Sequence, residues 1–187
     1  MRTTDPAWEP PAALQEREGP LFYLSLGSLG SADVELMRKL VAELAEAPYR
    51  IVVSKGPQHA EIDLAENMAG EEFLPQTEVL PKVDLVITHG GNNTVTESLY
   101  FGKPMVILPI FWDQHDNAQR LEETGFGARL DTYRHSGEEL AAAIDRLLAD
   151  AELRSRLAAT AQRLRGARGT ERAADLIEVT VREAASS

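Results

Sequence analysis

The sequence predicts an α/β fold, a parallel sheet of about six strands with helices on both faces. Three observations point to it. From Leu21 onward, short apolar runs alternate with helical patterns, the order that builds strand–helix–strand units. Runs such as Leu85-Val86-Ile87 are continuously apolar, which suits strands covered on both faces. Glycine and polar residues follow the ends of several runs, where parallel sheets gather their ligands.

The elements follow in order. Residues 1–20 contain Pro6, Pro10, Pro11 and Pro20 with few apolar residues, so they read as a linker or extended tail. A domain over residues 21–187 comes next. Its first strand is 21–26. The Gly27-Ser28-Leu29-Gly30-Ser31 turn leads into a helix near 32–46, with Ser31 as N-cap and Asp33 and Glu35 in its first turn. Strand 50–54 ends at Lys55-Gly56-Pro57. A short strand near 71–74 and a helical turn near 77–81 come next. Strand 84–88 enters a glycine turn and a helix near 93–101. Strand 104–108 lies between Pro104 and Pro109. A helix near 114–124 stops at Gly125, and 127–130 forms the last strand. Three helices close the chain. Leu140, Ile144, Leu147 and Leu148 mark the first, and Leu153, Leu157, Ala161 and Leu164 the second, both at helical spacing. The third covers roughly 170–183.

At 187 residues the chain can bury roughly 70% of its unfolded surface in a core. It has no cysteine, which removes disulfides and thiolate metal sites and fits a cytoplasmic location. A net charge of −11 argues against nucleic acid or an anionic membrane surface as partner. No run reaches the roughly 20 apolar residues of a membrane span, and no basic-then-apolar leader opens the chain. The charge is uneven. Residues 150–172 carry six arginines against Asp150, Glu152 and Glu171. This is a solvated helix face or a contact surface for another domain.

The chemistry concentrates in Thr88-His89-Gly90-Gly91-Asn92-Asn93-Thr94-Val95-Thr96-Glu97. A strand, a glycine turn and a helix N-terminus in that order make a cradle for a diphosphate, through free N–H groups and the helix dipole. His89 enters the turn as an extra donor, and a phosphate beside it would favour its protonated form. Glu97 lies about two helical turns further on. Its carboxylate suits the vicinal hydroxyls of a ribose, though an acid there is equally a solvated helix residue. Asp113 and Gln114 offer acceptors and a donor that can read sugar hydroxyls, and Asp113 is also a natural helix cap. Ser28 can donate to a phosphate or simply shape the helix-entry turn.

Other chemistries find no support. The first turn lacks the third glycine of the dinucleotide fingerprint, and strand 50–54 has no acid at its end. No phosphate-binding loop of the Gly-x-x-x-x-Gly-Lys type occurs, and no Gly-x-Ser-x-Gly elbow. The histidines His59, His89, His115 and His135 form no paired metal-ligand spacing, so no metal cofactor is expected.

Taken together, these residues resemble the donor half of the UDP-glycosyltransferases with the GT-B fold. The likeness runs from about Leu21 to near Ile177. It is densest in Phe73-Leu74-Pro75-Gln76, His89 through Thr94, Glu97, Gly102-Lys103-Pro104 and Asp113-Gln114. The resemblance implies a Rossmann-like sheet that forms one half of a two-domain enzyme. It assigns Ser28, His89, Asn93 and Thr94 to the diphosphate, Gln76 and Glu97 to the ribose, and Asp113 and Gln114 to the sugar, with Gly91 and Asn92 also in the donor site. Phe73 stands where relatives commonly carry a tryptophan that stacks on uracil. The implied donor is a UDP- or TDP-sugar, used without a metal in an inverting transfer. The implied partner is an N-terminal acceptor domain that carries the catalytic base, so no catalytic residue is expected in this chain. Two other readings stay open: a stand-alone donor-binding subunit of a split glycosyltransferase, and half of a sugar-nucleotide epimerase.

Overall fold

The computed structural model describes residues 5–185. The first four residues of the expected linker lie outside them. Six parallel strands form one sheet in the order β3-β2-β1-β4-β5-β6. They are β1 (Leu21–Ser25), β2 (Arg50–Ser54), β3 (Met68–Glu71), β4 (Leu85–Thr88), β5 (Met105–Ile107) and β6 (Gly127–Arg129). The helices are α1 (Ala12–Gln15), α2 (Gly27–Gly30), α3 (Val34–Leu44), α4 (Gln76–Val79), α5 (Asn92–Phe101), α6 (Gln114–Glu123), α7 (Gly137–Ala149), α8 (Ala151–Gly166) and α9 (Gly169–Ala185). The expected sheet of about six strands is present.

Period-two alternation splits the strands between two cores. Phe22, Leu24, Ile51, Val53, Leu85, Ile87 and Val106 face one side, where they meet α3, α7 and the start of α8. Leu21, Tyr23, Val52, Val86, Met105 and Ile107 face the other, against α1, α4 and α6. Both faces are covered, so no strand carries a polar stripe. Residues 5–20 lie against the second core: Leu14 is fully buried there, and Trp8 packs beside it.

Two local expectations are corrected. The third strand occupies Met68–Glu71 rather than 71–74. Pairing with β2 sets this register, with Ile51 opposite Met68 and Ser54 opposite Glu71. Phe73, whose apolar character suggested a strand, is 57% exposed beyond the strand end. The cap of α3 is Asp33, whose Oδ1 accepts from the Leu36 N–H at 3.1 Å. Ser31 instead closes α2, its N–H bonded to the Gly27 carbonyl.

The arginine-rich stretch has a largely intramolecular use. Arg154 donates to the Leu148 carbonyl, Arg156 to Gly125 and Arg165 to Tyr100. These acceptors lie at the ends of α7, α6 and α5, where carbonyls lack helical partners and positive charge is favoured. Arg156→Ala is expected to lower the melting temperature by about 2–4 °C, the equivalent of about 1 kcal/mol in a chain of this size. Arg163→Ala, exposed on the same helix, serves as control. Equal melting of the two variants would refute the capping role.

Candidate functional site: a cleft at the switch point of the sheet

The strand order reverses between β1 and β4. At such a switch point the loops after the two strands run to opposite faces and leave a crevice at the carboxyl edge. Ser25 and Thr88 are paired neighbours at that edge. A cleft of about 570 Å³ opens above them. Of the residues expected in the site, Ser28, Phe73, Gln76, His89, Gly91, Asn92, Asn93, Thr94 and Gln114 line it. Glu97 and Asp113 do not, although both lie close by.

His89 stands in a slot between two glycines. A Cβ on Gly27 would come within 2.8 Å of His89 Cε1, and one on Gly91 within 2.5 Å of His89 Nε2. Gly27 also has φ +69°, which disfavours any side chain. Burial pulls the His89 pKa below its usual value. A hydrogen bond to the Ser25 main chain and the nearby Asp113 charge oppose that shift. The free protein therefore holds His89 mainly neutral at pH 7, and an added anion would raise its pKa.

Helix α5 begins beside this ring. Gly91 is its N-cap and supplies no side-chain acceptor. The first-turn N–H groups thus lack helical partners, at the positive end of the dipole. The turn is fixed from α6: Asn117 Nδ2 donates to the Gly90 carbonyl and to Asn92 Oδ1, both at 2.9 Å. Asn117 was not singled out by sequence. Only its helical register past Asp113 hints at it.

Gln76 and Glu97 meet across the cleft floor. Gln76 Nε2 donates to Glu97 Oε2 at 2.6 Å, and Thr94 Oγ1 donates to Gln76 Oε1 at 3.3 Å. Glu97 is only 8% exposed, so it is not the solvated helix residue its charge allowed. It stands behind Gln76 and orients that amide.

The sugar-reading pair divides. Gln114 is buried, and its Oε1 already accepts from the N–H groups of Ile110 and Phe111, at 2.9 and 3.1 Å. Its amide N–H groups are what it can offer a ligand. Asp113 is exposed and has helical backbone angles with no capping bond. The expected cap does not form, because a cap residue needs an extended backbone. Trp112 just before it has φ +53°, a conformation rare for a bulky residue. Its ring meets Phe111 edge-on at 4.9 Å. Asp5, Ser54, Gly56 and Phe111 also line the cleft. Ser54 and Gly56 follow from the strand-end rule, whereas nothing local marks Asp5.

No cluster of three or more potential metal ligands occurs among the described residues. None of their helices is long and apolar enough to cross a membrane.

A doubly wound parallel sheet with a histidine-bearing glycine turn at its switch point defines a Rossmann-like domain of the kind found in GT-B glycosyltransferases. The chain belongs to the UDP-glucoronosyl and UDP-glucosyl transferase family, whose profile matches residues 14–162. It is 31% identical over 176 residues to the NDP-glycosyltransferase YjiC of Bacillus subtilis (strain 168), covering 92% of this chain and 45% of that protein. It is 33% identical over 181 residues to the zeaxanthin glucosyltransferase of Pseudescherichia vulneris, covering 93% and 44%. The crystal structure of the kitacinnamycin glycosyltransferase superposes with a TM-score of 0.82 at 32% identity, over 95% of this chain and 46% of the other. The glycosyltransferase VinC, solved with dTDP, superposes with a TM-score of 0.75 at 25% identity, over 95% and 45%. The chain thus spans less than half the length of these relatives.

Proposed function

We propose that residues 21–187 bind the nucleotide-sugar donor of a glycosyltransferase. The full enzyme would move a hexose from a UDP- or TDP-sugar to a small-molecule acceptor with inversion. The observation that carries the reading is His89, slotted between Gly27 and Gly91 beside the uncapped start of α5. Such an arrangement favours negative charge on a diphosphate. In the transfer step, the acceptor oxygen attacks the anomeric carbon as the nucleoside diphosphate leaves. His89 and the α5 N–H groups stabilise the charge that grows on the leaving oxygen, which is electrostatic preorganisation. The exposed face of Phe73 takes the base, Gln76 with Glu97 behind it takes the ribose, and Gln114 and Asp113 read the sugar. Ser28, Asn92, Asn93 and Thr94 complete the diphosphate shell. The acceptor and the base that deprotonates it belong to a second, acceptor-binding domain. Relatives about twice as long as this chain support that division. No metal is required in this scheme, because the cationic role falls to His89 and the helix end.

Calorimetric titration of the full chain with UDP, UDP-glucose and TDP-glucose tests the reading. Binding is expected to persist in EDTA. UDP-glucose affinity is expected to rise as pH falls from 8 towards 6. The bound diphosphate raises a His89 pKa that burial has lowered, so the complex takes up a proton. The gain levels off below the free-protein pKa, where His89 is already charged. His89→Ala is expected to remove this pH slope. Failure to bind any of the three nucleotides overturns the proposal.

A further inference from the structure

Helix α4 is only four residues long and begins after Pro75, which supplies no capping side chain. So short a helix does not hold itself, yet it carries Gln76 into the cleft. Its start is held from far away in sequence. Asp5 Oδ2 accepts from Thr77 Oγ1 at 2.6 Å and from the Thr77 N–H at 3.3 Å. This carboxylate supplies the cap that Pro75 lacks, at the end of the helix where negative charge is favoured. The far end is held too. Lys82, in the 3₁₀ turn after α4, donates to the Trp8 carbonyl and pairs with Glu9 at 2.6 Å. Residues 5–9 therefore grip the 76–82 segment at both ends. Thr77 and Gln76 are both buried in the grip, and Asp5 itself lines the cleft.

We propose that Asp5 is a positioning residue for the nucleoside portion of the donor. It acts through Thr77 to hold Gln76 in register with Glu97 and Thr94. The two bonds from Asp5 go to Thr77 of α4, whereas the diphosphate cradle stands on β4 and α5 and is coupled to Gln76 through Thr94, so the effect falls mainly on the base and ribose. The inference rests on the donor-binding reading above.

The test compares UDP with inorganic pyrophosphate on the full chain. Asp5→Ala is expected to weaken UDP about tenfold, the loss of a charge-assisted contact, and to weaken pyrophosphate by clearly less. Asp5→Asn retains an acceptor oxygen for Thr77 and is expected to recover most of the UDP affinity. Thr77→Val removes the hydroxyl from the other side and is expected to act in the same direction. It also carries the test if Asp5→Ala gives no cooperative melt. UDP affinity unchanged in Asp5→Ala or, if that variant does not fold, in Thr77→Val overturns the inference, and so does an equal loss of UDP and pyrophosphate. An unaltered chain that binds neither ligand overturns the donor reading and this inference together. Normal UDP binding by both the unaltered chain and Asp5→Ala overturns only this one.

Discussion

Gly91→Ala is expected to abolish most UDP binding while leaving the fold intact. One methyl group has this effect because of where it lands. Its carbon would stand 2.5 Å from His89 Nε2 and 2.9 Å from Cε1, well inside van der Waals contact. Gly27 lies beside the same two ring atoms, which a Cβ there would approach within 2.8 and 2.9 Å. His89 must then leave the slot, taking its hydrogen bond to the Ser25 main chain with it. The backbone of Gly91 is extended, φ −64° and ψ 145°, a conformation alanine adopts without strain. Stability should therefore change little. A hydrogen bond to a charged group contributes about 1.5–3 kcal/mol, and UDP affinity is expected to fall by about 10- to 100-fold in Gly91→Ala and in His89→Ala alike. Calorimetry with UDP and a thermal melt on each variant check this. Tight UDP binding by Gly91→Ala would exclude His89 as a diphosphate contact.

The slot also shows what the sequence makes legible. The order strand, Gly-Gly, helix is local, so His89, Gly91 and the start of α5 can be read from ten consecutive residues. The strands are equally local: alternate residues must find two cores, and runs such as Leu85-Val86-Ile87 have no polar face to offer solvent. Contacts that close over distance are less legible. Gly27 belongs to the same slot as Gly91, but the link exists only once β1 and β4 pair. The grip of Asp5 on Thr77 spans 72 positions and has no local signature. Asn117 holds the glycine turn from another helix. The third strand was displaced because Phe73 looks like a strand residue, although its ring serves an exposed wall. Asp113 likewise looks like a cap, yet its backbone is already helical, φ −60° and ψ −15°, and its side chain makes no capping bond.

Glu97 separates the architecture of the ribose region from its chemistry. Glu97→Ala removes the acceptor that Gln76 Nε2 meets at 2.6 Å and leaves a buried amide without that partner. Such an orphan costs about 1–3 kcal/mol, so the melting temperature is expected to drop by about 2–10 °C in a chain of this size. Gln76, no longer held, also loses its aim at the cleft, and Thr94, which donates to Gln76 Oε1, loses a fixed acceptor. UDP affinity is expected to fall by about 10²-fold, the combined loss of a charge-assisted contact and of an oriented amide. Glu97→Gln makes the distinction. Its Oε1 can still accept from Gln76, so the melt should return close to that of the unaltered chain. The carboxylate is gone, and UDP affinity should remain about tenfold down. Pyrophosphate binding should fall clearly less than UDP binding in both, because the diphosphate cradle lies at the start of α5 and feels Gln76 only through Thr94. Two results would break this account. A Glu97→Ala chain that melts like the unaltered protein would mean that the Gln76 bond holds nothing, and full UDP affinity in Glu97→Gln would mean that the charge on Glu97 plays no part in holding the ribose.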